Sequence, residues 1–158
     1  PRVYQSVNPF TETLKQQWAD ATPEEIEALL ARMDAAPVLP LETRMANLLK
    51  FAELTEAKIK EISTLVAEDM GKPMKYAIEE VGFSAQLARF FSENAPRMLE
   101  DELVEDGAEM KKYVRFEPQG IILGIKPFNF PWTVPLICAL PALVSGNKFL
   151  LKPAECCP

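Results

Sequence analysis

Polar side chains that could do chemistry lie in two short segments, each at the end of an apolar run. Lys126 and Asn129 follow the first run, and Lys152 and Glu155 end the second. An asparagine amide can donate a hydrogen bond to an oxyanion. A lysine and a glutamate can together bind the vicinal hydroxyls of a ribose, and a carboxylate there repels a 2′-phosphate. Both segments are therefore candidates for a cofactor or substrate site.

The elements that must position these residues form a βαβ unit. Residues 121–125 predict a buried strand, the apolar segment after Asn129 predicts a helix, and residues 148–151 predict a second strand. Two strands joined by a crossover helix run parallel. In open α/β sheets, ligands bind outside the carboxyl ends of the strands, where both polar segments fall. The sequence therefore predicts an α/β fold with a ligand site at this edge.

Each candidate residue also has a purely structural interpretation. Asn129 could cap a helix that begins near Pro131, because asparagine is a favoured N-cap. Lys152 and Glu155 could be ordinary charges at a solvated strand end. Lys126 could approach a phosphate or an acidic substrate, or it could pack its stem and extend its ammonium group to water. The residue pattern alone leaves these alternatives open.

Several common sites are not encoded in the sequence. Gly120 and Gly124 do not form the G-x-G-x-x-G pattern of a standard dinucleotide loop, and there is no P-loop. The chain contains no histidine, which removes the commonest general base, the Ser-His and Cys-His pairs and most zinc sites. We therefore predict no metal site and expect any catalysis to depend on carboxylates, thiols or residues outside this sequence.

The composition is that of an acidic globular protein. The 158 residues carry 17 basic and 23 acidic side chains, and the net charge of −6 argues against a nucleic-acid partner. No apolar stretch is long enough to span a membrane, and no secretory signal is visible. Cys138 is expected in the core. Cys156 and Cys157 are expected to be ordinary thiols, with a redox pair as the alternative, so we predict a reducing, cytoplasmic compartment.

Upstream of the βαβ unit, the sequence predicts a β-hairpin and three helices. The hairpin pairs residues 3–7 with 14–18, and Thr22 with Glu25 forms a capping box that opens the first helix. A longer helix spans residues 41–70. Pro73 opens the third helix, which ends or bends at residues 95–96. The two long helices form an αα-hairpin, followed by an acidic connection at residues 100–107 and an exposed strand at residues 111–117.

Several segments resemble the aldehyde dehydrogenase family. Residues 118–131, PQGIILGIKPFNFP, resemble the signature P-x-G-V-x-x-x-I-x-P-W-N-F-P. Residues 141–147, PALVSGN, and residues 151–155, LKPAE, resemble two further family motifs. Asn8-Pro9, the helix bearing Arg44 and residues 68–73, EDMGKP, are similar to N-terminal family patterns. The resemblance covers essentially the whole chain in order.

The resemblance implies the N-terminal part of a Rossmann-like cofactor domain, preceded by an αα-hairpin and an oligomerisation strand. Residues 1–158 would form an incomplete NAD(P)-binding domain, with a helical part at about 22–98, the oligomerisation strand at about 109–117 and the βαβ unit at about 120–155. The family also assembles as dimers or tetramers, so a homo-oligomer is expected for the full-length protein.

The resemblance also assigns roles to the candidate residues. It implies that Asn129 is the side-chain half of an oxyanion hole. The residues implied to bind the cofactor are Ile125, Lys126, Pro127 and Phe128, mostly through backbone atoms near the nicotinamide, and Lys152 and Glu155 at the adenosine ribose. Two positions depart from the family pattern: Phe128 replaces the usual tryptophan, and Lys126 stands where the family has an apolar or hydroxyl residue.

The implied activity of the full-length protein is NAD(P)-dependent oxidation of an aldehyde, with a semialdehyde as one candidate, to the carboxylic acid. NAD is the expected cofactor and NADP the alternative. The family's nucleophilic cysteine and general-base glutamate lie beyond position 158, and neither Cys156 nor Cys157 matches the motif of that cysteine. The 158 residues alone are therefore expected to be inactive. A non-catalytic dinucleotide-binding module and a structural assembly module stay open as alternatives.

Overall fold

The computed structural model describes residues 2–158, which fold into five helices and three two-stranded sheets. In chain order the elements are β1 (Val3–Val7), β2 (Leu14–Ala19), α1 (Pro23–Ala35), α2 (Leu41–Ala57), α3 (Ile59–Met70), α4 (Met74–Met98), β3 (Glu102–Asp106), β4 (Lys111–Val114), β5 (Ile121–Ile125), α5 (Thr133–Val144) and β6 (Lys148–Lys152). The predicted α/β class is confirmed. None of the helices in the described range is long and apolar enough to cross a membrane.

The N-terminal β-hairpin forms as predicted and is anchored to the end of α3. β1 and β2 pair antiparallel, with Val3 opposite Ala19. The Ser6 hydroxyl donates to the Asp69 carboxylate at 2.7 Å, and the Lys15 ammonium lies 2.9 Å from the same carboxylate. These contacts attach the hairpin to the helical layer.

The capping box at the start of α1 is also confirmed. Glu25 N–H donates to the Thr22 hydroxyl at 3.2 Å, and Thr22 N–H donates to the Glu25 carboxylate at 2.8 Å. Pro23 is the first residue of the helix, where its missing N–H has no partner to lose.

The single helix predicted over residues 41–70 is two helices, α2 and α3, which meet at Lys58. The Lys58 backbone departs from helical geometry, with φ −106° and ψ 14°. Ile59, the next residue, packs against Gly82 of α4, where a side-chain carbon would lie 3.6 Å from the Ile59 terminal carbon. Because α2 and α3 both pack on α4, the break lets each segment place its apolar face on that helix.

α4 differs from its predicted bounds at both ends. Gly71 ends α3 with a left-handed φ of 62°, and Pro73 lies just before α4 rather than at its first position. At the other end the helix continues through Pro96 to Met98. Of the two alternatives predicted at residues 95–96, an end or a bend, the end is therefore wrong. A proline in the last turn removes only one backbone donor, and the Leu99 N–H still donates to the Ala95 carbonyl at 3.0 Å.

The core lies between α2, α4 and α5. Its members are apolar and almost fully buried: Leu48, Ala52, Ala85, Ala88, Ala95, Leu140 and Val144. A second cluster joins α3 to α4 through Val66, Ala77 and Val81. The many alanines let α4 approach its neighbours closely, which places α5 firmly on the helical layer.

The acidic connection predicted at residues 100–107 is wrong, because β3 occupies most of it. β3 pairs antiparallel with β4, and the pair carries cross-strand ion pairs between Asp106 and Lys111 and between Glu105 and Lys112. Opposite charges facing each other stabilise the pairing of strands that are exposed along their whole length. The strand predicted at residues 111–117 is shorter, ending at Val114.

The βαβ unit is confirmed, with β5 and β6 parallel and α5 between them. A β-carbon at Gly124 in β5 would overlap the ring of Phe149 on β6, so any larger residue there would force that ring to move. The Asn147 side-chain oxygen accepts from Gln119 N–H at 2.6 Å and Gly120 N–H at 3.1 Å, which ties the start of β5 to the start of β6. α5 begins at Thr133, later than the start near Pro131 that the sequence predicts.

Candidate functional site

The two polar segments lie side by side at the carboxyl ends of β5 and β6. Ile125 is paired with Lys152 in the parallel register, and Lys126 N–H donates to the Lys152 carbonyl at 3.1 Å. The strand ends are therefore level, and the turn after β5 begins beside the turn after β6. This arrangement is the one that the spacing of the two segments predicts.

Asn129 lies in the turn between β5 and α5, and its side chain is exposed. α5 begins four residues later at Thr133, and no hydrogen bond from the Asn129 side chain caps it. The interpretation of Asn129 as the helix cap is therefore wrong. Within residues 2–158 the Asn129 amide makes no side-chain hydrogen bond, so it is free to meet a ligand.

The cap of α5 comes from Glu80 of α4, a residue that the sequence analysis did not single out. One Glu80 carboxylate oxygen accepts from Trp132 N–H at 3.0 Å and from Thr133 N–H at 3.1 Å. The Thr133 hydroxyl donates to the Glu80 carbonyl at 2.8 Å, and it lies 2.8 Å from the Ser84 hydroxyl. A carboxylate at a helix N-terminus accepts from free N–H groups and interacts favourably with the positive end of the helix dipole.

The second Glu80 oxygen forms an ion pair with Lys72, which lies between α3 and α4. The Glu80 side chain is 0% exposed and that of Lys72 is 14% exposed. The same ammonium lies 3.0 Å from the Asn129 carbonyl oxygen and 4.0 Å from the centre of the Phe130 ring. Lys72 therefore joins the buried carboxylate of α4 to the turn that carries Asn129.

A cavity of about 830 Å³ opens beside this turn. Its walls are mainly apolar and aromatic and come from α4, the Asn129 turn and α5; the lining residues that matter here are Tyr76, Phe83, Phe128, Asn129, Phe130 and Ile137. A cavity of this size can enclose a small organic molecule. Three polar side chains in this wall make no hydrogen bond within residues 2–158: Tyr76, Glu79 and Asn129. Of these, Asn129 offers an amide N–H from which a bound carbonyl oxygen could accept a bond.

A second cavity, of about 690 Å³, lies on the other side of the strand ends. Ile125, Lys152 and Glu155 all line it. Glu155 is exposed and lies 3.5 Å from Arg2, and the Lys152 ammonium lies 5.8 Å from the centre of the Tyr4 ring. Because both charged groups reach solvent at the mouth of the cavity, either can exchange its present contact for the hydroxyls of a ligand.

Lys126 does not point into either cavity. Its ammonium lies 2.7 Å from the Cys138 sulfur on α5, so the side chain folds back under the turn. The sequence did not predict this sulfur contact. The expectations for Lys126, a contact with a phosphate or an acidic substrate or a packed stem with the ammonium group in water, stay predictions. Pro127 and Phe128 are exposed in the turn, and Phe128 also lines a third cavity of about 720 Å³ together with Glu155. The Phe128 side chain thus stands between the Asn129 cavity and the Glu155 side of the strand ends.

The cysteine pair lies directly after Glu155. Cys156 is exposed and Cys157 is half-buried. Burial, followed by the adjacent Cys156, raises the pKa of the Cys157 thiol to about 11. In the part of the chain that the structure describes, no group of three His, Cys, Asp or Glu side chains is arranged to hold a metal ion.

The donor set at the strand ends could hold a ribose. A ribose offers two vicinal hydroxyls, which a carboxylate can accept from and an ammonium can donate to, and Glu155 and Lys152 supply these groups at the mouth of one cavity. The two cavities lie on either side of a level pair of strand ends.

The family profile described as "Aldehyde dehydrogenase family" matches residues 1–158. The chain is similar to succinate-semialdehyde dehydrogenase [NADP(+)] of Deinococcus radiodurans, with 32% identity over 99% of this chain and 34% of that protein. The chain thus spans about a third of the length of the curated relatives that it matches.

Solved structures show the same similarity. Succinic semialdehyde dehydrogenase from Streptococcus pyogenes, in complex with NADP+, is 25% identical with a TM-score of 0.90, covering 98% of this chain and 35% of that one. A protein described as a methylmalonate-semialdehyde dehydrogenase from Sinorhizobium meliloti, in complex with NAD, is 28% identical with a TM-score of 0.91, covering 99% of this chain and 33% of that one. The fold found here is that of the N-terminal part of these enzymes.

Proposed function

The chain belongs to the aldehyde dehydrogenase family, and we propose that it is the N-terminal part of an enzyme that oxidises an aldehyde to the carboxylic acid with NAD or NADP. The observation that carries this proposal is the placement of Asn129. Its amide is exposed, makes no side-chain bond within residues 2–158 and lies in the wall of an apolar cavity beside the strand ends. A free amide in that position can donate a hydrogen bond to the oxygen of a bound carbonyl group.

In the proposed reaction, Asn129 stabilises the negative charge that develops on the aldehyde oxygen. In the whole protein a cysteine thiolate outside these residues would attack the carbonyl, and a carboxylate-activated water would release the acid. The nicotinamide of the bound cofactor supplies the hydride acceptor. One donor of this kind is worth about 10²–10³ in rate, or roughly 3–4 kcal/mol.

The other candidate site residues would hold and orient the cofactor. We propose that Lys152 and Glu155 bind the adenosine ribose, and that the backbone of residues 125–128 lies against the nicotinamide half. Lys126 would contribute only its backbone, because its ammonium is directed to Cys138. Phe128 would supply the aromatic wall between the two halves of the site.

The cofactor itself is proposed to be NAD, with NADP as the alternative. Glu155 favours NAD because its carboxylate repels a 2′-phosphate. The NADP names of several relatives support the alternative. Titration of the full-length protein with each cofactor decides between them. NAD should bind more tightly than NADP, and Glu155→Gln should reduce the difference between the two affinities.

The substrate is proposed to be an aldehyde, and the names of the relatives make a semialdehyde one candidate. The cavity beside Asn129 is walled mainly by aromatic and aliphatic groups, and Lys72, the one cation among its described lining residues, is already paired with Glu80. A carboxylate-bearing substrate would therefore take its cationic partner from outside residues 2–158. Comparing turnover of succinate semialdehyde with that of an uncharged aldehyde of similar length distinguishes the two candidates.

We also propose that the β3–β4 hairpin takes part in a homo-oligomer. Leu103, Val104, Tyr113 and Val114 are exposed large side chains on this hairpin. Replacing Val104 and Tyr113 by serine in the full-length protein should shift its sedimentation towards the monomer. An unchanged assembly would count against this role. We further propose that residues from about 22 to 98 form the helical part of the domain and that residues from about 120 to 155 form its βαβ unit.

The first test of the proposed function is the Asn129→Ala variant of the full-length protein. We expect the burst of reduced cofactor, which reports acyl-enzyme formation, to slow by about 10²-fold or more while cofactor affinity stays the same. Asn47→Ala, at an exposed asparagine on α2, is the matched control. A normal burst in Asn129→Ala would show that this amide does not stabilise the oxyanion, and full-length protein that binds cofactor but oxidises no aldehyde would favour a non-catalytic binding module.

A further inference from the structure

We propose that Lys72 and Glu80 are positioning residues for Asn129. Together they fix the backbone of the turn from which the Asn129 amide reaches the aldehyde cavity. This inference rests on the proposed oxyanion role of Asn129 and adds the groups that hold that residue in place. Neither Lys72 nor Glu80 touches the reacting atoms in this scheme.

The first observation is that the turn is anchored at its end by a fully buried carboxylate. One oxygen of Glu80 accepts from both Trp132 N–H and Thr133 N–H, at 3.0 and 3.1 Å. The Thr133 hydroxyl returns to the Glu80 backbone carbonyl at 2.8 Å. These three bonds fix the first residues of α5 against α4.

The second observation is that the same carboxylate anchors the turn at Asn129 through Lys72. The Lys72 ammonium pairs with the other Glu80 oxygen and donates to the Asn129 carbonyl at 3.0 Å. It also lies 4.0 Å from the centre of the Phe130 ring, a favourable site for a cation. The side chain of Lys72 is only 14% exposed, so water competes poorly for these partners.

The two anchors are only a few residues apart along the chain. The Asn129 carbonyl and the Trp132 N–H are separated by Phe130 and Pro131 alone. Because the Asn129 amide makes no side-chain bond within residues 2–158, its position depends on the backbone that carries it. Lys72 compensates the buried charge of the Glu80 carboxylate and also donates to the Asn129 carbonyl, so the pair fixes the turn as well as the start of α5.

The decisive variant is Lys72→Met/Glu80→Gln in the full-length protein. It leaves no unpaired buried charge, and the glutamine amide retains an oxygen that can accept from the start of α5, but the donor to the Asn129 carbonyl is gone. We expect the burst of reduced cofactor to slow by about 10- to 100-fold, the loss that follows when a catalytic group shifts by up to about 1 Å. The cofactor dissociation constant should change by less than about twofold.

A purely structural pair is distinguished by a double-mutant cycle. If Lys72 and Glu80 act through Asn129, the double variant should slow the burst no further in the Asn129→Ala background. Lys75→Met/Glu93→Gln changes the same residue types at exposed positions of α4 and is the matched control. Its burst should equal that of the unmodified protein.

The outcomes separate this inference from the proposed function. A normal burst in the double variant, or the same slowing in the presence and absence of the Asn129 amide, overturns the positioning role while leaving the oxyanion role intact. A normal burst in Asn129→Ala alone overturns both. If Lys72→Met/Glu80→Gln does not fold, Lys72→Arg, which keeps a cation beside Glu80 but changes its reach to the Asn129 carbonyl, takes its place in the same cycle.

Discussion

Truncation of Glu80 to alanine is expected to loosen the start of α5 more than any other single change on α4. The substitution removes the acceptor of Trp132 N–H and Thr133 N–H and leaves the Lys72 ammonium without its carboxylate. Removing one partner of a buried ion pair costs about 3–5 kcal/mol. The lost helix cap adds roughly 1 kcal/mol. We therefore expect a local loss of about 4–6 kcal/mol, a large part of the roughly 5–15 kcal/mol that typically stabilises a domain.

Amide hydrogen exchange of the full-length protein measures this loss where it occurs. A local loss of about 4 kcal/mol corresponds to exchange roughly 10³-fold faster in a peptide covering residues 130–140. Glu80→Gln keeps an acceptor for both N–H groups but also leaves the Lys72 ammonium without its carboxylate. It should therefore cost about 3–5 kcal/mol, less than Glu80→Ala by the roughly 1 kcal/mol of the helix cap. Glu93→Ala, at an exposed site of the same helix, should change exchange by less than about threefold, since most surface substitutions fall within about 0.5 kcal/mol.

Two results would refute this reasoning. Exchange in residues 130–140 that differs by less than about tenfold between Glu80→Ala and the unmodified protein would show that the carboxylate does not hold α5. An equal effect in Glu80→Ala and Glu80→Gln would show that the charge, and not the cap, carries the whole contribution.

Three further predictions concern other parts of the fold. Asn147→Ala removes two bonds to the start of β5, at 2.6 and 3.1 Å, and should lower stability by about 1–3 kcal/mol in thermal unfolding; an unchanged melting temperature would contradict the tie between the strands. Gly124→Ala forces a β-carbon into the Phe149 ring and should cost about 1–3 kcal/mol in the same measurement, which a Gly124→Ala protein of unchanged stability would disprove. Burial and then the neighbouring Cys156 raise the pKa of Cys157 to about 11, so folding favours its thiol form. The resulting contribution to stability is complete below the ordinary thiol pKa of about 8.5 and is lost as the pH rises through about 11. Iodoacetamide at about pH 8 should therefore alkylate Cys156 faster than Cys157 in the 158-residue chain, and equal rates would contradict the shift.

Much of the fold follows from local sequence signals. The capping box at Thr22 and Glu25, the hairpin and the βαβ unit each depend on contacts between residues close in sequence or on simple periodicity, so their prediction succeeded. The break at Lys58 was not predicted because the apolar periodicity continues across it, and only packing on α4 requires two helices. β3 was missed because its acidic residues indicated a solvated connection, while the lysines that stabilise the strand are on β4.

The candidate site was predictable only in part, for the same reason. The level ends of β5 and β6 follow from the spacing of the two polar segments, and they bring Ile125 and Lys152 together. The role of Glu80 was not predicted because its partners on α5 lie far away in the sequence. A carboxylate on the buried face of α4, between Ala77 and Ser84, was the available signal: such a group must be paired. The contact of Lys126 with Cys138 was not predicted, because the local sequence gives no signal for a partner on α5.

The most direct test of the central claim is a crystal structure of the full-length protein with NAD and a bound aldehyde-derived acyl group. The account predicts that the Asn129 amide nitrogen lies about 2.7–3.1 Å from the acyl oxygen, and that Lys152 and Glu155 contact the adenosine ribose hydroxyls. An acyl oxygen held by other groups, with the Asn129 amide turned away from it, would contradict the account.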